Sequence, residues 1–272
     1  MPSLYQIGHY SLDWVREFYD HAGVWWGADP QDAGTHAARV KIVNRLCGSA
    51  PLTILDLGSG GGATAAALAD AGHHVTGIEF SLPRAAYTSR LVAQPRSGTL
   101  TFLTSDFYTV DLPRRFDLIT YWDGFGIGTD ADQRILLKRI AGEWLEDDGC
   151  LLMDVFNPFK AARDCGTEKR LSPLKGVEGS VEMINRHFFD AVTSRWIDEW
   201  EPVEHPENTM AQTIRCYSPS DLALLLEGTG LRLTRIEQDG VEVSCEHQKV
   251  SREDPVLTDW SYLVLVKKKI AA

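Results

Sequence analysis

The sequence lacks an excess of basic residues and has no long apolar run. Its 272 residues include 27 Lys and Arg against 38 Asp and Glu, a formal net charge of −11. Proteins that bind nucleic acids usually present a basic surface to the phosphate backbone, so this balance argues against a nucleic-acid partner. No apolar stretch approaches the ~20 residues that a membrane-spanning helix needs, and the first residues do not follow the pattern of a signal peptide. We therefore expect a cytoplasmic protein without a membrane partner.

Closely spaced cysteines are also missing. The five cysteines are scattered along the chain, at Cys47, Cys150, Cys165, Cys216 and Cys245. Without a CxxC pair, the sequence gives no support to a zinc site or to a redox-active dithiol. Scattered thiols are typical of a reducing compartment, which agrees with a cytoplasmic location. We expect no bound metal.

The pattern of apolar residues changes along the chain. Residues 1–50 are rich in aromatic side chains and favour helices, with Ser11 as a suitable N-cap for a helix through about Ala22. From Leu52 to Phe156, short apolar runs alternate with helical segments. This β-α alternation predicts a parallel sheet with helices on both faces.

Residues 157–216 interrupt this alternation. Three segments, near 180–190, 193–203 and 209–217, carry Val, Ile, Phe, Trp and Thr in partial alternation, which is typical of strands. We expect a β-rich insertion here. Ser218 then caps a further helix, and the segments LRLTRIEQ and DWSYLVLVKKK predict two closing strands that are antiparallel neighbours.

A glycine-rich loop follows the first predicted strand, in the sequence DLGSGGGA. Such a loop lets a ligand approach the backbone closely, and the helix after it offers free N–H groups. Gly58, Gly60 and Ala63 also satisfy the G-x-G-x-x-G/A pattern of dinucleotide-binding proteins, so a dinucleotide is one possible ligand. Asp56 favours a cationic ligand instead, because its carboxylate would repel a pyrophosphate. Glu79, at the end of the second strand, can hold ribose hydroxyls of either ligand.

Six segments resemble, in the same order, the sequence motifs of class I S-adenosylmethionine-dependent methyltransferases. They are ILDLGSGGG (54–62), VTGIEFS (75–81), TSDF (104–107), FDLITYWDGFG (116–126), LEDDGCLLMDV (145–155) and YSPSDLALLLEGTGL (217–231). The resemblance covers roughly residues 35–155 and 216–268. It implies an α/β fold with a Rossmann-like, seven-stranded, mostly parallel sheet whose last strand is antiparallel. It also implies S-adenosyl-L-methionine as the cofactor and S-adenosyl-L-homocysteine as the product.

With this resemblance, the chain is expected to divide into a core and two additions. The cofactor-binding core would consist of residues 51–156 and 217–268. Residues 1–50 would form an N-terminal helical cap, and residues 157–216 would form an inserted β-rich cap over the substrate. Together, the two caps would close the pocket for the methyl acceptor.

The resemblance also implies cofactor contacts at particular positions. These are Arg39, Asp56, Gly58, Gly60, Glu79, Phe80, Asp106, Phe107, Trp122 and Tyr19. Gly58 and Gly60 would pack against the methionyl part, and Asp56 would lie near its ammonium group. Glu79 would hold the ribose, and Asp106 would accept a hydrogen bond from the adenine.

The remaining cofactor positions have more local roles. Phe80 and Phe107 would pack against the adenine ring. Arg39 could pair with the cofactor carboxylate. Trp122 would line the site of methyl transfer, and Tyr19 would reach the cofactor from the N-terminal cap.

Methyl transfer from a sulfonium is an in-line displacement, so the protein mainly supplies alignment and a dry pocket. A general base helps when the acceptor is a hydroxyl or a protonated amine. The substrate-binding candidates are Trp25, Trp26, Trp122 and Asp123, and the catalytic candidates are Asp123, His187 and Tyr19. Further candidates for the base are His9, His205 and Tyr121.

The favoured function is methylation of an N or O atom of a small metabolite by a monomer or homodimer. An amine, such as an amino sugar or a peptide N-terminus, is slightly favoured because the acidic chain and its aromatic cap suit a cation. The Asn/Asp-Pro-Pro-Tyr motif of methyltransferases that act on bases and glutamine amides is absent. Three alternatives stay open. They are a hydroxyl or phenol O-methyltransferase of secondary metabolism, a non-catalytic S-adenosylmethionine-binding regulator, and an NAD(P)-linked oxidoreductase.

Overall fold

The computed structural model describes residue 10 and residues 12–26, 33–175, 179–243 and 258–269. Its α-helices are α1 Asp13–Trp26, α2 Ala33–Cys47, α3 Ala63–Asp70, α4 Leu82–Val92, α5 Asp130–Arg139, α6 Pro158–Arg163 and α7 Pro219–Leu225. Its strands are β1 Thr53–Leu57, β2 His74–Glu79, β3 Thr99–Thr104, β4 Phe116–Tyr121, β5 Leu145–Phe156, β6 Glu168–Leu171, β7 Met183–Asp190, β8 Arg195–Pro202, β9 Met210–Arg215, β10 Leu231–Gln238, β11 Val241–Glu242 and β12 Ser261–Lys268. In these ranges, no helix is long and apolar enough to cross a bilayer.

The larger sheet has eight strands in the order β11-β10-β12-β5-β4-β1-β2-β3. Strands β5, β4, β1, β2 and β3 are parallel, and β12 is antiparallel to both of its neighbours. The predicted α/β fold with a mostly parallel sheet and an antiparallel last strand is therefore confirmed. The eighth strand is the two-residue edge strand β11, which is too short to show a pattern in the sequence.

The central strands are buried because helices cover both faces of the sheet. Strand β1 has four consecutive buried residues after Thr53, as expected for a parallel strand without a solvent-facing side. One face packs around Trp144 and Tyr262, and the other packs around Val43 and Leu68. The strand order reverses between β1 and β4, so a crevice opens at their carboxyl ends.

The β-rich insertion forms a second sheet of four antiparallel strands, β6-β7-β8-β9. Strands β7, β8 and β9 correspond to the three predicted segments. The insertion leaves the core and returns to it at one place, where the Tyr217 N–H donates to the Phe156 carbonyl at 3.1 Å. An isolated bridge between Ile127 and Ile214 ties β9 to the loop after β4.

The N-terminal helix α1 packs against this insertion. Phe18 and Trp25 on α1 form an apolar cluster with Met183 of β7. The predicted cap, Ser11, lies outside the described residues, and the helix extends to Trp26, beyond the predicted end near Ala22.

Helix α7 begins with the cap that the sequence predicts. The Ser218 hydroxyl accepts from the Asp221 N–H at 3.2 Å, and the Asp221 carboxylate accepts from the Ser218 N–H at 3.1 Å. We expect Ser218→Ala to lower the free energy of unfolding by about 1 kcal/mol, because an orphan N–H at the helix start loses its acceptor. Urea denaturation checks this. Ser218→Thr keeps the acceptor and is the control, and equal losses in both variants would contradict a capping role.

Candidate functional site

The glycine loop between β1 and α3 forms one wall of a large cavity. Gly60 and Gly62 have φ angles of +55° and +86°, a region that residues with a side chain rarely adopt. A Cβ atom at Gly62 would also collide with the Phe102 ring. The loop therefore needs glycine for both conformation and space. It presents its backbone to a cavity of about 580 Å³ at the carboxyl ends of β1, β2 and β4.

Glu79 connects this loop to the start of α4. Its Oε2 atom accepts from the Gly60 N–H and its Oε1 atom accepts from the Ser81 N–H, each at 2.8 Å. The side chain is buried at the cavity wall, and this burial raises the pKa of Glu79, an effect that the two backbone N–H groups oppose. Each carboxylate oxygen has a second lone pair, so Glu79 can still accept hydrogen bonds from a ligand.

Asp56 lies at the carboxyl end of β1 and also lines the cavity. Its Oδ1 atom accepts from the Thr120 hydroxyl at 2.6 Å. Burial raises the pKa of Asp56 to about 6, although the Thr120 hydroxyl and the Arg39 charge act in the opposite direction. A positively charged ligand beside Asp56 would favour the ionised carboxylate.

Arg39 of α2 pairs with Asp123 in this structure. Its guanidinium also lies 4.9 Å from the Trp122 ring centroid and donates to the Thr64 hydroxyl at 3.1 Å. The Asp123 N–H in turn donates to the half-buried Asp154 carboxylate at 2.7 Å. Arg39 lines the cavity, so a contact with the cofactor carboxylate stays a prediction that would require Arg39 to share or exchange its Asp123 partner.

The predicted adenine-binding residues line the same cavity. Phe80, Asp106 and Phe107 all contribute to its wall. Asp106 is exposed, and its Oδ1 atom accepts from the Tyr108 N–H at 2.8 Å. Phe107 packs against Tyr121, with ring centroids 5.7 Å apart. This arrangement provides a flat apolar surface next to an exposed carboxylate acceptor.

Helix α1 brings Tyr19 and Trp25 to the cavity. The Tyr19 hydroxyl donates to the Gln212 Oε1 atom at 3.0 Å, and the Arg84 guanidinium lies 5.1 Å from the Tyr19 ring centroid. Burial raises the pKa of Tyr19, so its hydroxyl stays protonated and is a donor at neutral pH. Trp26 is the last residue of α1, and its side chain lies outside what the structure describes.

The proposed bases do not all reach the cavity. Asp123 does, but its carboxylate is already paired with Arg39. His187 is packed between the rings of Trp196 and Trp260, outside the cavity lining, so the structure does not support it as a catalytic base. His205 is exposed beside Glu207, also away from the cavity.

Of the two remaining candidate bases, Tyr121 and His9, the structure describes only Tyr121. Tyr121 is buried in the cavity wall, and this burial raises the pKa of its hydroxyl well above its usual range, so it stays protonated. His9 lies outside the described residues.

Several lining residues were not predicted from the sequence. Arg84, in the first turn of α4, is buried, and its Nε and Nη2 atoms have no hydrogen-bond partner among the described residues. In the sequence, only its position shortly after Glu79 could have indicated Arg84 as a site residue.

The insertion sheet also contributes to the cavity wall. Its lining residues are Met183, Asp198 and Gln212, together with Trp196 and Trp200, whose orientation could not be predicted from the sequence. Trp122 Nε1 and Ser59 Oγ are also buried without a hydrogen-bond partner among the described residues, so they are candidates for contact with a polar ligand.

A comparison with protein-family models identifies the core. Residues 54–149 match the model described as "Methyltransferase domain". This part of the chain is a class I methyltransferase domain. This is the S-adenosylmethionine-binding type of fold, and the matched residues of the domain include the glycine loop, Glu79, Asp106 and Trp122.

Individual proteins resemble this methyltransferase domain to different extents. Ubiquinone biosynthesis O-methyltransferase of Albidiferax ferrireducens is 30% identical over 111 residues, a match that spans 39% of this chain and 44% of that protein. The chain therefore matches less than half the length of this curated relative. The CcbJ methyltransferase from Streptomyces caelestis superposes with a TM-score of 0.67 at 19% identity, over 96% of this chain and 100% of the other. The glycopeptide N-methyltransferase MtfA, complexed with S-adenosylhomocysteine, gives a TM-score of 0.55 at 21% identity, over 88% and 91%.

Proposed function

We propose that this protein transfers a methyl group from S-adenosylmethionine to a nitrogen or oxygen atom of a small molecule, with an amine as the favoured acceptor. One observation carries the proposal. The cavity joins the glycine loop and Glu79 to the aromatic side chains of α1 and of the insertion sheet. Its volume of about 580 Å³ lies within the range of small-molecule sites.

The loop half of the cavity has the groups that the cofactor needs. We assign the ribose to Glu79 and the cofactor ammonium to the vicinity of Asp56. The unpartnered N–H groups of Arg84 and the exposed carboxylate of Asp106 add a donor and an acceptor. The bound cofactor supplies an electrophilic methyl group on a sulfonium. The residues of this chain contribute position, charge and exclusion of water.

The other half of the cavity suits an organic acceptor. Trp25, Trp122, Trp196 and Trp200 line it, and the aromatic surface can hold an apolar or cationic group. Among the similar proteins, one is named an O-methyltransferase and another an N-methyltransferase, so their names support both acceptor atoms. The acidic character of this chain, with its net charge of −11, favours the amine.

Calorimetric titration tests the cofactor. We expect S-adenosylmethionine and S-adenosylhomocysteine to bind with micromolar dissociation constants and NADH to give no signal, because Asp56 lies where a pyrophosphate would be repelled. NADH is the control, since an oxidoreductase of similar topology would bind it. Binding of NADH without binding of the two sulfur nucleosides would overturn the proposal.

A methyl-transfer screen then tests the reaction. The protein is incubated with S-adenosylmethionine labelled in its methyl group and with amines or with phenols and alcohols of matched size. Transfer to amines alone supports the favoured acceptor, and transfer to phenols or alcohols alone favours an O-methyltransferase. Tight cofactor binding without transfer to any acceptor would instead support a non-catalytic regulator.

A further inference from the structure

A buried carboxylate of the insertion sheet faces the cavity. Asp198 lies in the middle of β8, and the residue is only 3% exposed, yet it is part of the cavity wall. Trp196 and Trp200 precede and follow it by two residues, so all three side chains project from the same face of the strand. Both indoles line the cavity as well.

Three uncharged donors hold this carboxylate in one orientation. The Gln212 amide and the Trp200 indole N–H donate to Oδ2, each at 2.7 Å. The Asn185 amide donates to Oδ1 at 2.6 Å. An ionised carboxylate offers about four acceptor positions, so Asp198 keeps acceptor capacity for a ligand.

The groups around Asp198 leave its negative charge without a full countercharge. His187 on β7 lies 3.5 Å from Oδ1, and burial lowers its pKa, so this imidazole is neutral at physiological pH. From α1, the protonated Tyr19 hydroxyl reaches the same network through Gln212. In the described part of the chain, no Lys or Arg forms an ion pair with Asp198. A buried charge in this situation is costly unless a ligand brings the opposite charge.

The neighbouring side chains indicate the type of ligand. Trp25, Trp196, Trp200 and Tyr19 surround the cavity near this carboxylate with aromatic surface, which attracts an organic cation. A neutral hydroxyl compound would leave the Asp198 charge uncompensated. An alkyl- or arylammonium group would compensate this charge and also pack against the aromatic rings.

We propose that Asp198 receives the protonated amine of the acceptor and removes a proton from it before methyl transfer. This inference rests on the proposed function and names its acceptor class and its base. The ammonium N–H bond breaks, and the proton moves to the Asp198 carboxylate, which becomes a carboxylic acid. The freed nitrogen lone pair forms the N–C bond to the methyl carbon, and the electron pair of the broken C–S bond stays on sulfur. The product is a protonated methylamine and a neutral thioether.

The surroundings of Asp198 agree with a proton acceptor. Burial raises the pKa of Asp198, while its three donors act in the opposite direction. Because its pKa is raised, Asp198 is a stronger base than an exposed Asp. Proton transfer from an ammonium group to Asp198 is therefore less unfavourable. The charged groups near the partner His187 are Lys160, Asp164 and Lys169.

A pair of probes of the same shape tests the charge preference. Benzylammonium and benzyl alcohol are titrated into the protein by calorimetry, with and without S-adenosylhomocysteine. We expect the wild type to bind benzylammonium about 10-fold more tightly than benzyl alcohol. Asp198→Asn should weaken benzylammonium binding about 10-fold and leave benzyl alcohol binding unchanged. Glu201→Gln is the matched control, since Glu201 lies on the same strand and pairs with Arg186.

A second variant changes the pKa of the Asp198 carboxylate without removing the carboxylate. Trp200→Phe deletes one N–H donor to Oδ2 and keeps an aromatic ring, so it should raise the pKa of Asp198. Benzylammonium binding, measured between about pH 5 and pH 8, should then be lost at a higher pH than in the wild type. Protonation of His187 would not produce this difference between the two proteins. If the Asp198→Asn protein does not fold, the shift of the pH profile in Trp200→Phe tests the role of Asp198 by itself.

The outcomes separate this inference from the proposed function. Equal binding of the two probes to the wild type, unchanged benzylammonium binding in a folded Asp198→Asn protein, or an unshifted pH profile in Trp200→Phe would each overturn the role of Asp198. A silent titration with S-adenosylhomocysteine overturns the proposed function instead, and the probe titrations without it still measure the charge preference of Asp198.

Discussion

Glu79→Ala is expected to weaken S-adenosylmethionine binding about 100-fold. Two effects add together. The variant removes the charged acceptor that we assign to the ribose, and hydrogen bonds to charged groups are worth roughly 1.5–3 kcal/mol. It also releases the Gly60 and Ser81 N–H groups, which the two Glu79 oxygens hold at 2.8 Å, so the glycine loop loses its fixed shape. Calorimetric titration at constant pH and salt measures the change.

The control for this prediction is another Glu→Ala variant with the same change of charge. Glu146 is exposed on β5 and does not line the cavity, so Glu146→Ala should bind the cofactor as the wild type does. A thermal melt shows whether Glu79→Ala is folded at the temperature of the titration. Wild-type affinity in a folded Glu79→Ala protein would remove Glu79 from the cofactor site.

The contribution of Asp56 to the stability of the cofactor-free protein is expected to rise as the pH falls from about 7.5 to 5. Burial raises the pKa of Asp56 from 3.8 to about 6. Above pH 6 the carboxylate is ionised in the folded protein, where this charge is disfavoured. Near pH 5 it is protonated in the folded protein and ionised in the unfolded chain. The free energy of unfolding therefore regains roughly 1 kcal/mol of what the buried charge removes at higher pH. Burial also raises the pKa values of Glu79 and Asp154, and both effects have the same sign.

Asp56→Asn isolates the contribution of this residue. The amide oxygen can still accept from the Thr120 hydroxyl, while the buried charge is gone. At pH 7.5 we expect the free energy of unfolding to rise by about 3 kcal/mol and its pH dependence to become shallower. Urea denaturation at the two pH values measures both, with the exposed Asp148→Asn as the control. A variant that is no more stable than the wild type at pH 7.5 would show that the Asp56 charge is well compensated in the folded protein.

The parallel core could be predicted because each of its strands shows a recognisable pattern in its own stretch of sequence. Strand β1 is a continuous apolar run that ends at a glycine loop, and this pattern needs no information from distant residues. Strand β6, Glu168–Leu171, could not be predicted, since all four of its residues are exposed and show no alternation. Its place in the sheet depends on pairing with β7.

The same distinction separates the two halves of the candidate site. Asp56 and Glu79 lie at the carboxyl ends of strands that meet at one edge of a parallel sheet, so their proximity follows from the order of the motifs. Asp198 lies inside a strand of an insertion, and its partners Asn185 and Gln212 reach it through the antiparallel registers of β7, β8 and β9. The sequence contains no signal for that register, because either face of these strands could have been buried.

The insertion leaves the core and rejoins it at one place, and this has an evolutionary consequence. Phe156 and Tyr217 are hydrogen-bonded neighbours, so the polypeptide between them can be lengthened, shortened or replaced while the core strands keep their paths. The loop that precedes α3 belongs to the core and would not be affected by such an exchange. Selection could therefore change the proposed methyl acceptor through one contiguous stretch of codons, and chimeras that exchange residues 157–216 offer the same route in the laboratory.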